Sequence, residues 1–143
     1  MIRKASPGDF GKLIVLWLES AETSHPFIPK KYWADLIEEM RMTRLPHSET
    51  SVYERDGRLV GFISTLDNDI LALYVEPSSQ GQGIGRELLS DAKAKTSSLY
   101  LDVFSENERG VSFYQREGFI PIKRYIDPSG YKLTNMKWKH NDA

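Results

Sequence analysis

The stretch from Ile70 to Leu89 constrains the fold more than any other part of this chain. Residues 70–75 form an almost wholly apolar run, which is typical of a buried central strand. Pro77 cannot donate a ladder hydrogen bond and therefore marks the end of that strand. Three glycines follow at alternating positions, Gly81, Gly83 and Gly85. From Ile84 onward apolar residues recur at helical spacing, so the stretch predicts a strand, a glycine-rich turn and a helix.

This arrangement favours an anion-binding site in the turn. The first N–H groups of a helix have no partner inside the helix, and the helix dipole attracts negative charge there. Glycines also let a phosphate approach the backbone closely. We therefore interpret residues 80–86 as a phosphate or pyrophosphate cradle. The alternative is a turn that only connects the strand to the helix.

The register of the glycines separates this turn from two common phosphate-binding loops. It lacks the Gly-Lys-Ser/Thr ending of a P-loop. The dinucleotide pattern G-x-G-x-x-G would require a glycine at position 88, which is Leu88. The pattern present is Gln-x-x-Gly-x-Gly, formed by Gln80, Gly83 and Gly85 and followed by Arg86.

Composition excludes several classes of function. With 143 residues, 40% of them hydrophobic, we expect one domain over residues 1–143. A net charge of −1 gives no general attraction for nucleic acid. The chain has no cysteine and three widely spaced histidines, so we expect neither a thiolate nucleophile nor a bound metal. No apolar run approaches the roughly 20 residues of a membrane span, and we expect a cytoplasmic protein without a membrane partner.

Helical and strand patterns alternate along the rest of the chain. They predict a strand over 1–5, helices over 10–21 and 31–44, and hairpin strands over 51–55 and 59–66. After the glycine turn they predict a helix to about residue 95, a strand over 98–104, a helix over 107–117, and strands over 119–125 and 131–139. Asp9 is the expected N-cap of the first helix, and Gly118 is the expected end of the last.

This order of elements predicts an α/β (α+β) domain. The unit 70–104 is β-α-β, so its two strands should run parallel with a right-handed crossover. The earlier strands are joined by tight turns and should be antiparallel. We therefore expect a mixed, mostly antiparallel sheet of about seven strands with about four helices on its faces, in the order β-α-α-β-β-β-α-β-α-β-β.

A second motif lies downstream, in the segment Asn107-Glu108-Arg109-Gly110-Val111-Ser112-Phe113-Tyr114-Gln115-Arg116-Glu117-Gly118-Phe119. Together with Gln-x-x-Gly-x-Gly it resembles the GNAT superfamily of N-acetyltransferases, in which this region reads Asn-x-x-Ala-x-x-Phe-Tyr-x-x-x-Gly-Phe. Every fixed position matches except the small residue, where Gly110 replaces alanine. A glycine inside a helix costs about 1 kcal/mol relative to alanine. The predicted order of elements is also that of the GNAT fold, so the resemblance covers essentially the whole chain.

The resemblance implies acetyl-coenzyme A as cosubstrate. Its pyrophosphate would bind the backbone amides of the turn, which comprises Gln80, Gly81, Gln82, Gly83, Ile84, Gly85 and Arg86. The strand 70–75 would splay from the strand 98–104 and leave backbone groups near Leu73 and Val75 for the pantetheine arm, and Tyr74 between them belongs to the same coenzyme-binding set. The Val75 N–H would polarise the thioester carbonyl. Asn107 would contact the coenzyme arm, a role compatible with capping its helix.

The resemblance also implies that Tyr114 binds near the coenzyme sulfur and acts as general acid. A phenol of pKa near 10 can protonate a departing thiolate of pKa near 8.5, slightly uphill. The alternative for Tyr114 is a core aromatic residue. The general base stays open between Asp102, Glu76, His25 and water, and Asp102 is the carboxylate that we group with Tyr114 as catalytic.

The acceptor is the least defined part of this prediction. His25 and Phe27 lie in an exposed-looking segment between the first two helices, which in the family borders the acceptor site. We predict direct attack of a primary amine in a ternary complex, with a protein or peptide lysine or N-terminus as acceptor. The alternatives are a small amine such as an aminoglycoside or polyamine, a non-catalytic coenzyme A-binding regulatory module, or an unrelated nucleotide-binding domain. Monomer and homodimer both stay open.

Overall fold

Seven strands form one sheet in the computed structural model, which describes residues 1–140. The strands are β1 (Ile2–Lys4), β2 (Glu49–Arg55), β3 (Arg58–Leu66), β4 (Asp69–Val75), β5 (Ser98–Phe104), β6 (Ile120–Ile126) and β7 (Lys132–Lys139). Their order in the sheet is β1-β2-β3-β4-β5-β7-β6. The neighbours β4 and β5 run parallel and the other neighbours run antiparallel. The predicted mixed, mostly antiparallel sheet is confirmed.

The helices are α1 (Phe10–Ser24), α2 (Lys30–Ala34), α3 (Ile37–Glu39), α4 (Ile84–Lys93) and α5 (Glu108–Arg116). None of the helices within residues 1–140 is long and apolar enough to cross a bilayer. A Schellman motif ends α5, because the Phe119 N–H donates to the Tyr114 carbonyl at 2.9 Å and the Gly118 N–H to the Gln115 carbonyl at 3.1 Å. Gly118 has a φ of +95°, as a residue that ends a helix in this way requires.

The second helical segment is not the continuous helix predicted over 31–44. It breaks after α2, resumes as α3 and ends in a π-helical turn over Met40–Arg44. In this turn the Leu45 N–H donates to the Met40 carbonyl at 3.0 Å. Met40 and Leu45 are each only 2% exposed. Residues five apart share a helix face only when the turn is widened, so the π turn lets both reach the core.

The start of α1 also differs from the prediction. Asp9 has helical backbone angles, and its carboxylate does not cap α1. It accepts from the Ser6 N–H at 2.9 Å and from two nitrogens of Arg3 at 2.9 and 3.1 Å. These contacts, with Arg3 the stronger, hold the pKa of Asp9 well below its usual range. Asp9 therefore joins β1 to the 3₁₀ turn that precedes α1.

Two buried clusters cover opposite faces of the sheet. The first contains the apolar side of α1 with Trp33 and Met40, and the second contains the apolar sides of α4 and α5. Adjacent residues of one strand belong to different clusters: Phe104 packs on the first and Val103 on the second. This division follows the alternation of side chains along a strand.

Candidate active site

The sheet opens between β4 and β5. Within the described residues their ladder consists of one pair, Asp69 opposite Tyr100, at the beginning of both strands. Toward Val75 and Phe104 the two strands no longer pair. A cavity of about 560 Å³ occupies this gap. The splay predicted from the family resemblance is present in the structure.

The cavity has walls from both faces of the sheet. We call the wall on the face of α4 and α5 the loop side; its residues include Gly81, Gly83, Gly85, Asn107, Phe113 and Tyr114. We call the wall on the face of α1 and α2 the aromatic side; its residues include Trp17, His25, Tyr32, Trp33, Phe104 and Asp127. Two molecules that entered from opposite faces could therefore meet between the strands.

The hydrogen-bond register of β4 leaves backbone groups facing this gap. The Glu76 N–H donates to the Val60 carbonyl of β3 at 2.9 Å. Bonded and non-bonded pairs alternate along an antiparallel ladder. Leu73 and Val75 therefore belong to non-bonded pairs with β3, and their N–H and C=O groups point toward the gap. Tyr74 pairs with β3 through its backbone, so only its side chain can serve the cavity.

The Val75 carbonyl is already occupied. It accepts hydrogen bonds from Ser20 Oγ at 3.2 Å and from Gln80 Nε2 at 3.1 Å. The amide of Gln80 thus connects the end of β4 to the glycine turn. The Val75 N–H has no such partner in the described chain, which leaves it available to a ligand.

The glycine turn has the backbone that its sequence predicts. Gly81 and Gly83 have φ values of +80° and +83°, a region that L side chains rarely adopt. Gly83 is the N-cap residue of α4. The next N–H groups, at Ile84 and Gly85, are the unpaired donors of a helix start, and both residues line the cavity. The turn therefore presents anion-binding groups to the cavity.

One residue of the predicted coenzyme set does not line the cavity. The side chain of Gln82 is exposed and its Oε1 accepts from Arg55 Nη1 of β2. Only its backbone can serve a ligand, which is the role that the sequence predicts for it. Arg86 lies at the rim, exposed and 3.6 Å from the carboxylate of Glu117.

Tyr114 lies in α5 with its ring against the aromatic neighbours Phe113 and Phe119, at centroid distances of 5.2 and 5.5 Å. Its hydroxyl has no hydrogen-bond partner within residues 1–140. Burial, followed by the nearby Tyr74 phenol, raises the pKa of Tyr114 well above its usual range. The hydroxyl is therefore protonated at neutral pH and can only donate its proton.

His25 is buried, at 4% exposure, and the prediction of an exposed residue is wrong. Its Nδ1 lies 2.8 Å from the Ala21 carbonyl and therefore carries the proton. Its Nε2 lies 3.4 Å from Asn107 Nδ2, an amide whose Oδ1 accepts from the Gly110 N–H at 3.0 Å. Burial lowers the pKa of His25 despite the backbone hydrogen bond, so the ring is neutral. Asn107 caps α5, as predicted, and also connects it to α1.

Phe27 is half-buried and lies outside the cavity wall. It packs edge-on against His25 and Phe104, at 5.7 and 6.2 Å between centroids. The prediction of a direct acceptor contact is therefore not supported for this side chain in the structure. Tyr32 and Trp33 do line the cavity. Trp33 is also packed in the core, since it is 3% exposed and contacts the rings of His25 and Phe104.

The candidate carboxylates are held in different ways. Asp102 lines the cavity and accepts from the Tyr125 hydroxyl at 2.7 Å and from Asn135 Nδ2 at 3.0 Å. Burial and this carboxylate raise the pKa of Tyr125 to about 12. Glu76 is buried, paired with Arg58 and absent from the cavity wall, which does not favour it as the general base. Nowhere in residues 1–140 do three His, Asp or Glu side chains gather as a metal site.

Comparisons with known proteins agree with this geometry. The family described as "Acetyltransferase (GNAT) domain" matches residues 18–140. The chain is 37% identical over 120 residues to the peptidyl-lysine N-acetyltransferase YiaC of Escherichia coli (strain K12), a match that covers 83% of this chain and 82% of that protein. It is 30% identical over 142 residues to the peptidyl-lysine N-acetyltransferase YjaB of the same strain, a match that covers 96% and 95%.

A solved structure gives the same result. The solution structure of apo-form YjaB from Escherichia coli superposes with a TM-score of 0.86 at 27% identity, over 99% of this chain and 98% of that one. The splayed strands, the glycine turn at a helix start and the family match agree with one another. The chain therefore belongs to the GNAT acetyltransferase family and is an acetyl-coenzyme A-dependent N-acetyltransferase.

Proposed function

We propose that this enzyme transfers the acetyl group to the ε-amino group of a lysine in a protein or peptide. The observation that carries the proposal is the aromatic side of the cavity, where Tyr32, Trp33 and Phe104 form a wall beside the carboxylate of Asp127. A lysine has a long apolar stem and a cationic head. Aromatic rings suit the stem and attract the cation, and a carboxylate adds to that attraction. The names of both relatives support the same acceptor.

Acetyl-coenzyme A occupies the loop side in this proposal. Its pyrophosphate binds the N–H groups of the glycine turn and of the first turn of α4. Its pantetheine arm follows the gap-facing backbone groups of Leu73, as an added strand would. The thioester carbonyl accepts from the Val75 N–H, which stabilises negative charge on the oxygen during attack.

Direct transfer requires two proton movements. The amine nitrogen attacks the thioester carbon, and the carbon–sulfur bond then breaks. Tyr114 donates its hydroxyl proton to the departing sulfur, and Asp102 accepts the proton lost from nitrogen. Because burial raises the pKa of Tyr114, donation to a free thiolate is uphill, so transfer accompanies cleavage of the bond.

The role of Asp102 can be checked through the pH dependence of kcat/KM. Removing a general base should lower kcat/KM by about 100-fold and move the rise of the profile toward the alkaline pKa of the acceptor amine. We expect this result for Asp102→Asn. Tyr125→Phe removes one hydrogen bond to the carboxylate but keeps the carboxylate, so kcat/KM should fall much less than in Asp102→Asn. If kcat/KM of Asp102→Asn still rises at the same pH as in the wild type, Asp102 is not the general base.

The acceptor can be identified with labelled acetyl-coenzyme A and a matched panel of amines. The panel contains two forms of one peptide, spermidine and an aminoglycoside. The first form of the peptide has a free lysine and a blocked N-terminus, and the second has a blocked lysine and a free N-terminus. We expect kcat/KM to be highest for the free lysine, by about tenfold or more. Mass spectrometry should place the label on the ε-nitrogen. A preference for the N-terminus or spermidine would contradict the proposal, and coenzyme binding without any transfer would favour a regulatory module.

A further inference from the structure

A hydrogen-bonded network on the outer side of the glycine turn includes a buried carboxylate. Glu76, 8% exposed, accepts from both terminal nitrogens of Arg58, at 2.6 and 2.7 Å. The same carboxylate accepts from Ser79 Oγ at 2.6 Å. Burial alone would raise the pKa of Glu76, but these hydrogen bonds hold it below its usual range. The group is therefore ionised and fully paired.

A second arginine extends this network to the turn itself. Arg55 donates through Nη2 to Ser79 Oγ at 3.0 Å and through Nη1 to Gln82 Oε1. Arg55 and Arg58 flank the tight turn between β2 and β3. The hairpin thus contacts the segment between β4 and α4 both before and within its glycines.

Few backbone hydrogen bonds fix that segment. Its 3₁₀ turn is closed by the Ser79 N–H to the Glu76 carbonyl at 3.0 Å and by a longer contact of 3.4 Å from the Gln80 N–H to the Pro77 carbonyl. Gly81 and Gly83 add conformational freedom. Side-chain contacts from the hairpin therefore have a large share in deciding where the N–H groups of the turn point.

We propose that the hairpin network of Arg55, Arg58, Glu76 and Ser79 is a positioning device that sets the affinity for acetyl-coenzyme A. The arginines and Glu76 lie outside the cavity wall. They hold the turn in its binding conformation, so less ordering remains to be done when the coenzyme binds. The inference rests on the proposed placement of the pyrophosphate at the glycine turn, and it is independent of the acceptor.

The test compares two equally paired carboxylates by isothermal titration with acetyl-coenzyme A. Glu76→Gln breaks the network, and Asp9→Asn breaks the bidentate pair with Arg3 of the edge strand β1, which is not part of the network. The two carboxylate side chains are similarly buried, at 10% and 14% exposure. We expect Glu76→Gln to raise Kd about tenfold and to leave kcat at saturating coenzyme unchanged. Asp9→Asn should lower Tm without changing Kd.

Two further variants keep the inference testable if Glu76→Gln does not fold. Arg58→Met should give a rise in Kd similar to that expected for Glu76→Gln, because both break the same contact. Where both single variants fold, combining them should add little. Arg55→Met removes only the contacts of Arg55 with Ser79 and Gln82 and should raise Kd by a few-fold. Unchanged Kd in Arg55→Met and Arg58→Met, with Tm lowered, would reduce the network to a structural role. Failure of the wild type to bind acetyl-coenzyme A would overturn the proposed coenzyme site as well, whereas a wrong acceptor would leave these titrations unaffected.

Discussion

Gly83→Val should abolish acetyl-coenzyme A binding at concentrations that saturate the wild type, a rise in Kd of about 100-fold or more. Gly83 has a φ of +83°, where a β-branched residue is strained by roughly 1–2 kcal/mol. Relief of that strain would turn the N–H groups at the start of α4 away from the cavity. An added Cβ would meet nothing within 4 Å, so the space beside Gly83 is open to a phosphate and a valine would fill it. Isothermal titration measures the loss directly.

A second glycine provides the matched control. Gly130, in the turn between β6 and β7, has a φ of +90°, and an added Cβ there would likewise meet nothing within 4 Å. Gly130→Val should therefore lower Tm about as much as Gly83→Val while leaving Kd for acetyl-coenzyme A unchanged. Normal binding by Gly83→Val would mean that the pyrophosphate lies elsewhere.

Tyr114→Phe should lower kcat by about 100-fold or more and leave Kd for acetyl-coenzyme A within about twofold of the wild type. The Tyr114 hydroxyl has no partner in the described chain, so its removal deletes a proton donor without breaking an existing hydrogen bond. The ring stays packed against Phe113 and Phe119. Single-turnover kinetics with saturating coenzyme separate this chemical effect from binding.

Tyr74 is the natural comparison, because its side chain lines the same cavity and burial raises its pKa to about 12. Tyr74→Phe removes a second buried phenol, on the opposite face of the sheet. We expect a smaller loss of kcat than for Tyr114→Phe. The reverse order would assign the proton donor to Tyr74, and equal small effects would indicate that water protonates the sulfur.

Local sequence signals predicted the backbone around the glycine turn and α5 well. The strand, turn and helix of residues 70–89, the cap by Asn107 and the helix end at Gly118 are all as predicted. Each depends on the conformational range or hydrogen bonding of residues that are neighbours in the chain. Asp9 shows the limit of such signals, because a residue type that commonly caps a helix bonds Arg3 instead.

The residues whose surroundings differ from the prediction have partners distant in sequence. The exposed-looking His25 is buried because Asn107, 82 residues away, and the ring of Phe104 close over it. Glu76 is a candidate base by sequence, but Arg58, 18 residues away, neutralises it. The side chain of Gln82 lies outside the cavity wall, where it accepts a hydrogen bond from Arg55. No local pattern encodes these contacts.

By itself, the stretch from Ile70 to Leu89 determined a strand, a turn that requires glycine and a helix start able to bind an anion. These follow from the apolar run, the alternating glycines and the unpaired N–H groups of a helix start, all of which are local. The separation of β4 and β5 was expected only through the family resemblance, and only the tertiary structure decided that Tyr114 from one face meets the aromatic side of the other in the gap. The physical reason is that a gap in a sheet depends on how two strands and the layers on both faces pack together.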